Sequence, residues 1–452
     1  MQALLNKYNV PVPRYTSYPT VPYWNAIPPT EREWQASARA VFEATNHLEG
    51  ISLYIHLPFC ESLCTYCGCN KRITKNHGVE SPYINALLTE WKLYLELFPE
   101  PPRIAELHLG GGTPTFFSAE NLDYLLGTIL RDCALAHDPA LSFEAHPANT
   151  TVEQLEVLYK HGFRRLSLGI QDFDPEVQKA IHRHQTPEQV AEVVNNARSI
   201  GYTGISFDLV YGLPKQHMDG LLATLMEVLA LRPDRIAYYS YAHVPWKSPG
   251  QRGYSEPDLP CAHLKQDLYE AGRLLLEGKG YTAIGMDHFA LPGDALLLAA
   301  EAGALHRNFM GYTPHHTALN IALGCSAISD SGSAFVQNAK KVEDYQQLLA
   351  AGQWPIERGH LLTTEDRMVA PFIRSLMCTY KATACITQQS TPWFRESLQR
   401  LQPLINDGLV TVLGPSVEVL PLGRPFIRNI CLAFDARYWA ARPAETTFSR
   451  AV

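Results

Sequence analysis

The sequence has few charged residues, no long apolar run and no basic segment, and each of these shortages excludes a class of protein. Asp, Glu, Lys and Arg together make up 18% of the 452 residues, below the roughly 25% of an average soluble domain. No stretch reaches the about 18 uninterrupted apolar residues of a membrane span. The N-terminal segment lacks the basic start and apolar region of a signal peptide. We therefore expect a cytoplasmic protein that does not bind membranes.

Basic residues are too few and too dispersed to form a nucleic-acid-binding surface. The 38 Lys and Arg residues against 45 Asp and Glu residues give a formal net charge of −7. Without a basic run, we expect no binding to nucleic acid. The chain is long, and 46% of its residues are hydrophobic, so it can build a large core without disulfides. Its ten cysteines therefore need another explanation.

Strand and helix patterns alternate from residue 51 to about residue 243. Apolar strands are predicted at residues 51–57, 104–112, 141–147, 165–171, 204–212 and 235–243, with amphipathic helices between them. This alternation indicates a parallel sheet covered by helices, and six such strands favour a complete or incomplete (β/α) barrel over a small Rossmann sheet. We predict an N-terminal arm and helix over 1–50, a barrel with its extension over 51–358, and a mostly helical C-terminal domain over 359–452.

Four cysteines follow the first predicted strand on one short segment: Cys60, Cys64, Cys67 and Cys69. Structural zinc usually takes two separated pairs of ligands, and a redox dithiol at Cys64 and Cys67 leaves Cys60 unexplained. A [4Fe–4S] cluster held by Cys60, Cys64 and Cys67, with one iron open to a ligand, explains this spacing best. The six other cysteines are predicted to be buried core residues: Cys133, Cys261, Cys325, Cys378, Cys385 and Cys431.

Polar and glycine residues end several of the predicted strands. Gly110–Thr113 follows the second strand and Glu144 ends the third, while Gln171 and Asp208 occupy the same position on later strands. The carboxyl ends of parallel strands open into one mouth, where α/β folds bind their ligands. Taken alone, Glu144 suits either the binding of an ammonium group or ribose hydroxyls, or an ordinary solvated strand end.

The cysteine loop together with Gly110-Gly-Gly-Thr-Pro114 resembles the radical S-adenosylmethionine superfamily. The likeness extends over nearly the whole chain to the oxygen-independent coproporphyrinogen III oxidase family. The segments that carry this likeness are Arg14–Thr20, His56–Cys60, Cys67–Asn70, Gly212–Lys215, Gly285–Ala290, His306–Asn308, Ile427–Cys431 and Phe434–Asp435.

The resemblance implies an α/β fold, an incomplete (β/α) barrel of radical SAM type, with an N-terminal arm and a mostly helical C-terminal domain. It implies two molecules of S-adenosylmethionine beside the [4Fe–4S] cluster. It carries over these contacts with the cofactor: Tyr54, Gly111, Gly112, Thr113, Glu144, Gln171, Arg183, Asp208, Ala242 and Ile328. The second molecule would contact Gly112, Thr113, Gln171, Arg183, Asp208 and Ala242. Cys69 joins Cys60, Cys64 and Cys67 as a candidate catalytic residue, either as a helper thiol beside the cluster or as a bystander.

The implied reaction is oxidative decarboxylation of two propionates of coproporphyrinogen III to vinyl groups, which gives protoporphyrinogen IX in anaerobic haem biosynthesis. A reduced donor such as flavodoxin or ferredoxin would supply electrons, and we expect a monomer. Cations are expected near the substrate's four carboxylates, with Arg14, Lys71, Arg72 and Lys215 as candidates. The chain departs from the family at His146, where relatives often have Asp.

Two other functions remain open from the sequence. A radical SAM-type haem chaperone would keep the cysteine triad, although such proteins generally lack the arm and the Cys67-Gly-Cys-Asn70 ending. A non-catalytic protein with structural zinc would use the same thiols without iron.

Overall fold

The computed structural model describes residues 2–441 and 448–450. Within this part of the chain, no helix combines the length and the apolar character that crossing a bilayer requires. The chain begins with a short helix, α1 (Gln2–Tyr8), an irregular arm and a longer helix, α2 (Glu31–Thr45). Thr30 begins α2 with a capping box, in which the Thr30 hydroxyl and the Glu33 carboxylate satisfy each other's free backbone N–H groups.

Six parallel strands follow in the order of the chain and form the body of the sheet. They are β1 (Ile51–Leu57), β2 (Arg103–Gly111), β3 (Ala134–Ala145), β4 (Arg165–Gln171), β5 (Gly204–Tyr211) and β6 (Arg235–Ser240). Each strand pairs in parallel with the next. All carboxyl ends therefore open at one end of the sheet, as the sequence pattern predicts.

Helices cover the outer face of this sheet and bury its apolar side chains. They are α3 (Glu80–Leu97), α4 (Ala119–Arg131), α5 (Val152–Lys160), α6 (Pro175–Ile181), α7 (Pro187–Ile200) and α8 (Met218–Leu231). The largest core cluster includes Leu53, Leu107 and Phe207 from three of the strands. Burial of these apolar side chains supplies the main driving force that holds helices against sheet.

Further strands extend the sheet at both edges and leave the barrel open. On one side, α9 (Ala262–Gly278) leads to β7 (Thr282–Ile284) and β8 (His288–Ala290), which pair antiparallel next to β6. A helix, α10 (Ala295–Glu301), and the hairpin of β9 (His306–Asn308) and β10 (Gly311–Thr313) come next. The other edge carries β11 (Asn320–Leu323), β12 (Ile328–Asp330), β13 (Ala334–Asn338) and β14 (Ile356–Leu361). The resulting twelve-stranded sheet confirms the incomplete barrel.

Helices dominate the rest of the chain. They are α11 (Val342–Ala350), α12 (Thr364–Thr379), α13 (Ile386–Gln389), α14 (Pro392–Asn406), α15 (Ile427–Ala433) and α16 (Ala436–Ala441). A small antiparallel sheet of β15 (Lys381–Thr383), β16 (Val410–Leu413) and β17 (Ser416–Val419) lies among them. Leu5, Tyr8, Tyr15 and Tyr18 of the arm belong to the hydrophobic core of this C-terminal region.

The scattered cysteines divide into two groups. Cys325, Cys378 and Cys431 are buried, as the sequence predicts, and Cys133 is half-buried. Cys261 and Cys385 are exposed, so the prediction of a core position is wrong for these two. Each is the residue that directly precedes a helix, α9 or α13, and such a position lies at the surface where the chain turns.

Candidate active site

The four clustered cysteines lie on the loop that leaves β1, at the carboxyl end of the barrel strands. Cys60 belongs to a two-residue parallel pairing of Phe59–Cys60 with Arg72–Ile73, which closes the loop at its base. The backbone N–H of Cys67 donates to the carbonyl of Cys64 at 3.2 Å. Cys60, Cys64 and Cys67 are half-buried, and Cys69 is exposed.

Side chains from distant parts of the barrel donate to two of these sulfurs. The Thr113 hydroxyl lies 3.3 Å from the Sγ atom of Cys60, and Nη1 of Arg183 lies 3.7 Å from the Sγ atom of Cys64. Such donors favour the thiolate form that binds iron. The loop is therefore tied to the ends of the neighbouring strands through the atoms that would hold a cluster.

A hydrogen bond joins the free thiols of Cys67 and Cys69. A hydrogen bond from the Cys69 thiol lowers the pKa of Cys67 to about 6, while the same contact raises the pKa of Cys69 well above its usual value. The Lys71 ammonium donates to the carbonyl of Cys67 at 2.9 Å and also lowers the pKa of that thiol. Cys67 therefore has the character of a metal-binding thiolate, and Cys69 that of its hydrogen-bond donor.

The glycines after β2 allow that strand to pass tightly against the end of β1. Gly111 has a φ of +116°, and a Cβ atom there would lie 2.6 Å from the His56 ring. A Cβ at Gly112 would lie 2.4 Å from the carbonyl oxygen of Pro58. Any larger residue would push the Gly111–Thr113 segment away from the cysteine loop.

Glu144 lies across from these glycines and is ionised by its surroundings. Its carboxylate accepts the backbone N–H of Gly111 at 3.1 Å, and the His108 ring lies 3.6 Å away. Burial alone would raise the pKa of Glu144, but His108 and the Gly111 N–H outweigh it and hold the pKa below its usual value. The site thus presents a carboxylate beside a glycine-rich backbone, which suits an ammonium group or ribose hydroxyls.

Gln171 and Arg183 converge above Gly169, at the end of β4. A Cβ atom on Gly169 would lie 2.7 Å from Nε2 of Gln171 and 2.8 Å from Nη2 of Arg183. That Arg183 nitrogen donates to the Gly169 carbonyl, while Nε of Arg183 is buried without a hydrogen-bond partner among the described residues. Gly169 carries no motif, and sequence reasoning missed it as a site residue.

Asp208 lies within β5 and pairs with Gly169 of β4, so the prediction that it occupies a strand end is wrong. Burial, and next the charge of Glu144, raise the pKa of Asp208 to about 7. The Ser167 hydroxyl donates to it at 3.4 Å. Two neighbouring carboxyl groups are therefore driven to different protonation states, with Glu144 the more acidic one.

The remaining candidate residues line two cavities at the barrel mouth. A cavity of about 490 Å³ is bordered by Tyr54, Cys69, Gly111, Glu144 and Ile328. A second cavity, of about 940 Å³, is bordered by Ala242 and by the N-terminal arm. These dimensions fall in the range of small-molecule and cofactor sites. Only the family resemblance had marked Ala242 and Ile328, because small apolar side chains carry no chemical signal.

His146 takes a structural role in place of the carboxylate that relatives often have. Its Nδ1 accepts the backbone N–H of Ala148 at 3.2 Å, which shapes the turn after β3. Burial, and next the charge of Arg183, lower the pKa of His146 to about 3. The ring is therefore neutral near pH 7 and adds no charge beside Glu144.

Arg14, one of the four basic residues predicted to bind the substrate's carboxylates, lines the larger cavity. Arg72 pairs with Glu343 at 2.8 Å and Lys215 with Asp258 at 2.6 Å, both at the surface. Lys71 serves the cysteine loop.

The chemistry of the cysteine loop fits an iron–sulfur cluster. In a four-iron cluster, each cysteine binds a different iron. The loop offers three free thiols for this purpose, and two of them accept a hydrogen bond from Thr113 or Arg183.

Comparison with known proteins also identifies a radical SAM protein, and the match to relatives extends over the whole chain. A profile described as "Radical SAM superfamily" matches residues 54–228. The oxygen-independent coproporphyrinogen III oxidase of Salmonella typhimurium is 37% identical over 100% of this chain and 98% of its own length. That of Pseudomonas aeruginosa is 38% identical over 96% of this chain and 95% of its own. The chain belongs to the oxygen-independent coproporphyrinogen III oxidase family.

A solved structure supports the assignment at the level of the fold. The coproporphyrinogen III oxidase from Escherichia coli, described as a radical SAM enzyme, superimposes with a TM-score of 0.89 at 36% identity. The match covers 96% of this chain and 98% of that one. As a member of this family, the chain is an enzyme whose cofactors are a [4Fe–4S] cluster and S-adenosylmethionine.

Proposed function

We propose that this protein converts two propionate side chains of coproporphyrinogen III to vinyl groups and so produces protoporphyrinogen IX. The observation that carries the proposal is the three-cysteine loop at the mouth of the barrel, in a chain that matches oxidases of this name from end to end. The full-length match to oxidases of this name supports this function over a haem chaperone or a zinc protein.

We assign the cluster to Cys60, Cys64 and Cys67. Thr113 and Arg183 donate to two of the sulfurs and help to orient the loop, while Cys69 donates to Cys67. A reduced cluster held there would supply the one electron that splits S-adenosylmethionine into methionine and a 5′-deoxyadenosyl radical, and this radical would remove a hydrogen atom from the β-carbon of a propionate. The substrate radical would then lose CO2 and pass one electron to a one-electron acceptor, which leaves the vinyl group.

The polar groups along the strand ends are suited to hold S-adenosylmethionine. Glu144, kept ionised by His108 and the Gly111 N–H, provides a carboxylate for the methionyl ammonium or the ribose. Tyr54 and Ile328 border the same cavity as Glu144. The backbone N–H of Gly112 donates to the Leu57 carbonyl at 2.9 Å, which fixes the strand end where Gly111, Gly112 and Thr113 are proposed to contact the cofactor.

We further propose a second molecule of S-adenosylmethionine between the first and the larger cavity. Gln171 ends β4, Asp208 lies within the neighbouring strand β5, and Arg183 follows the end of α6. Ala242 borders the larger cavity. The buried Nε atom of Arg183 lacks a partner among the described residues, which suits a carboxylate ligand. We also propose a cytoplasmic monomer of three parts, 1–50, 51–358 and 359–452, that receives electrons from a flavodoxin or a ferredoxin.

The ligand assignment is tested by replacing Cys64. Cys64→Ala, reconstituted anaerobically with iron and sulfide, should lose the cluster, form no 5′-deoxyadenosine and release no CO2 from coproporphyrinogen III. Cys385→Ala is the matched control, since Cys385 is exposed and lies outside the site. Retained iron and full turnover in Cys64→Ala would overturn the assignment. Stable binding of haem by the wild type, without decarboxylation, would favour a chaperone.

A further inference from the structure

The larger cavity is formed jointly by the arm, the end of β6 and the helix α9. The arm contributes Asn9 and Arg14, the segment after β6 contributes Tyr241 and Ala242, and α9 contributes Lys265. At about 940 Å³, it is at the upper end of the volumes that proteins use for small molecules. Ala242, which is proposed above to contact S-adenosylmethionine, borders this cavity, so the two proposed sites share a residue.

Two cationic side chains are fixed at neighbouring backbone carbonyls of this cavity. Nη2 of Arg14 donates to the carbonyl of Ser240 at 3.1 Å, and Nζ of Lys265 donates to the carbonyl of Tyr241 at 3.0 Å. Each contact uses only part of the hydrogen-bonding capacity of its head group, since a guanidinium has five N–H donors and an ammonium has three. Both heads therefore have N–H groups left for a ligand.

The cavity has an excess of positive charge around Lys265. Burial, and next the charges of Arg14, Arg428 and Arg450, lower the pKa of Lys265 to about 8. Arg428 holds the arm in place by donating to the carbonyls of Val12 and Pro13. Like charges at close range are unfavourable, so a bound anion would stabilise this cluster.

Acidic groups lie near the cavity, but none of the described ones acts on Lys265. Glu256 borders the cavity but is exposed, where solvent screens its charge. Asp287 borders the adjoining cavity, which Arg14 also lines, and it interacts with Arg14 and with His288. Among the residues that act on Lys265, none is acidic.

We propose that Arg14 and Lys265 bind one carboxylate of the tetracarboxylate substrate, at the end of β6. The proposal rests on the function proposed above and names the residues that would select an acidic porphyrinogen. A carboxylate accepts charge-assisted hydrogen bonds from both heads. Its position beside Ala242 would hold the macrocycle close to the cofactor site. The arm, through Arg14, thereby becomes part of the binding site.

The test measures binding without turnover. Reconstituted holoenzyme, given S-adenosylmethionine but no reductant, is equilibrated anaerobically with coproporphyrinogen III; bound ligand is then oxidised to fluorescent coproporphyrin and counted. Lys265→Met should weaken binding about 10- to 100-fold, the range expected for loss of a charge-assisted hydrogen bond. Lys265→Arg should retain most of the affinity, and Lys92→Met, which removes an exposed lysine from α3, should bind as the wild type.

The outcomes separate this proposal from the proposed function. Equal affinities of wild type and Lys265→Met, or equal losses in Lys265→Met and Lys265→Arg, would overturn the role of Lys265 as a carboxylate-binding charge. Arg14→Met should weaken binding to a similar degree without changing the iron content or the affinity for S-adenosylmethionine. A wild type that neither binds nor decarboxylates coproporphyrinogen III would instead overturn the proposed function itself.

Discussion

The candidate site requires a residue without a side chain at Gly169. The ends of Gln171 and Arg183 occupy the space that a methyl group would take, at 2.7 and 2.8 Å. Both are flexible side chains, so Gly169→Ala should displace them and leave the fold intact. Overpacking of this kind costs roughly 1–3 kcal/mol, and we expect the affinity for S-adenosylmethionine to fall about tenfold.

Equilibrium dialysis with labelled S-adenosylmethionine measures this effect, and urea unfolding checks the fold. Gly278→Ala is the control, since no atom lies within 4 Å of a Cβ at that position. Equal affinities in the wild type and Gly169→Ala would show that Gln171 and Arg183 do not need their present positions to bind the cofactor.

Glu90 provides a pH-dependent contribution to stability far from the reacting groups. Burial raises its pKa to about 7 despite hydrogen bonds from Tyr345, Gly324 and Asn338. Between pH 4.5 and about 7, the folded state keeps a proton that the unfolded chain has released. The free energy of unfolding should therefore fall as the pH rises through this window and then level off.

The prediction is checked with Glu90→Gln, which cannot ionise. The free energy of unfolding of the wild type minus that of the variant should decrease between pH 4.5 and pH 7.5, measured by urea titration. Glu96→Gln, on the same helix but exposed, should show no such trend. A difference that stays constant with pH would mean that Glu90 is already ionised in the folded state.

At this scale, the sequence identifies residues whose chemistry is distinctive and overlooks those that act by shape. The spacing of Cys60, Cys64 and Cys67 indicates a cluster because thiols on one loop have few other uses. Gly169 and Glu90 carry no comparable signal, because their importance comes from neighbours in space such as Arg183 and Tyr345, which lie more than ten positions away in the chain.

Among the elements, the central strands follow directly from the pattern of apolar residues. Two predicted segments, residues 51–57 and 165–171, have the bounds of β1 and β4. The third strand is longer than predicted and begins at Ala134 instead of residue 141. Its first half is mostly exposed and contains Pro139, yet it still pairs with β2 through Arg103 and Ile104. Backbone pairing, which hydropathy does not report, extends the strand.

The arm is the element that the sequence describes least well. Its irregular, proline-containing sequence indicates no regular structure, yet Tyr15 and Tyr18 are buried in the core of the C-terminal region. The Tyr15 hydroxyl donates to Asp435 at 3.1 Å, and the Tyr18 hydroxyl accepts the backbone N–H of Arg437. These contacts join residues more than 400 positions apart, which no local pattern can reveal.

The docking of the arm can be tested with Tyr15→Phe. This change removes one of the donors to the buried Asp435 carboxylate, whose other donors include the Tyr438 N–H. Loss of a hydrogen bond to a buried charged group costs about 1–3 kcal/mol, and we expect the free energy of unfolding to fall by that amount. Limited proteolysis should also cut the arm sooner. Tyr124→Phe, at an exposed position on α4, should change neither measurement; an unchanged Tyr15→Phe would contradict this anchoring role.

For the whole molecule, the open barrel accounts for the unusual composition of the chain. A sheet of twelve strands covered by helices buries many apolar side chains, which is consistent with only 18% charged residues. The cations that the larger cavity gathers, Arg14 and Lys265, lie on a protein whose net charge is −7. Local concentration of positive charge, and not the overall charge, determines which ligand the cavity accepts.

The central claim is that the cysteine loop serves a radical decarboxylation of coproporphyrinogen III, and transfer of a hydrogen isotope tests it most directly. The substrate is labelled with deuterium at the propionate β-carbons and incubated anaerobically with the reconstituted protein, a reductant and S-adenosylmethionine. Mass spectrometry should find one deuterium in each 5′-deoxyadenosine and one CO2 lost for each vinyl group formed. Unlabelled 5′-deoxyadenosine with no loss of CO2 from the porphyrinogen would contradict the claim.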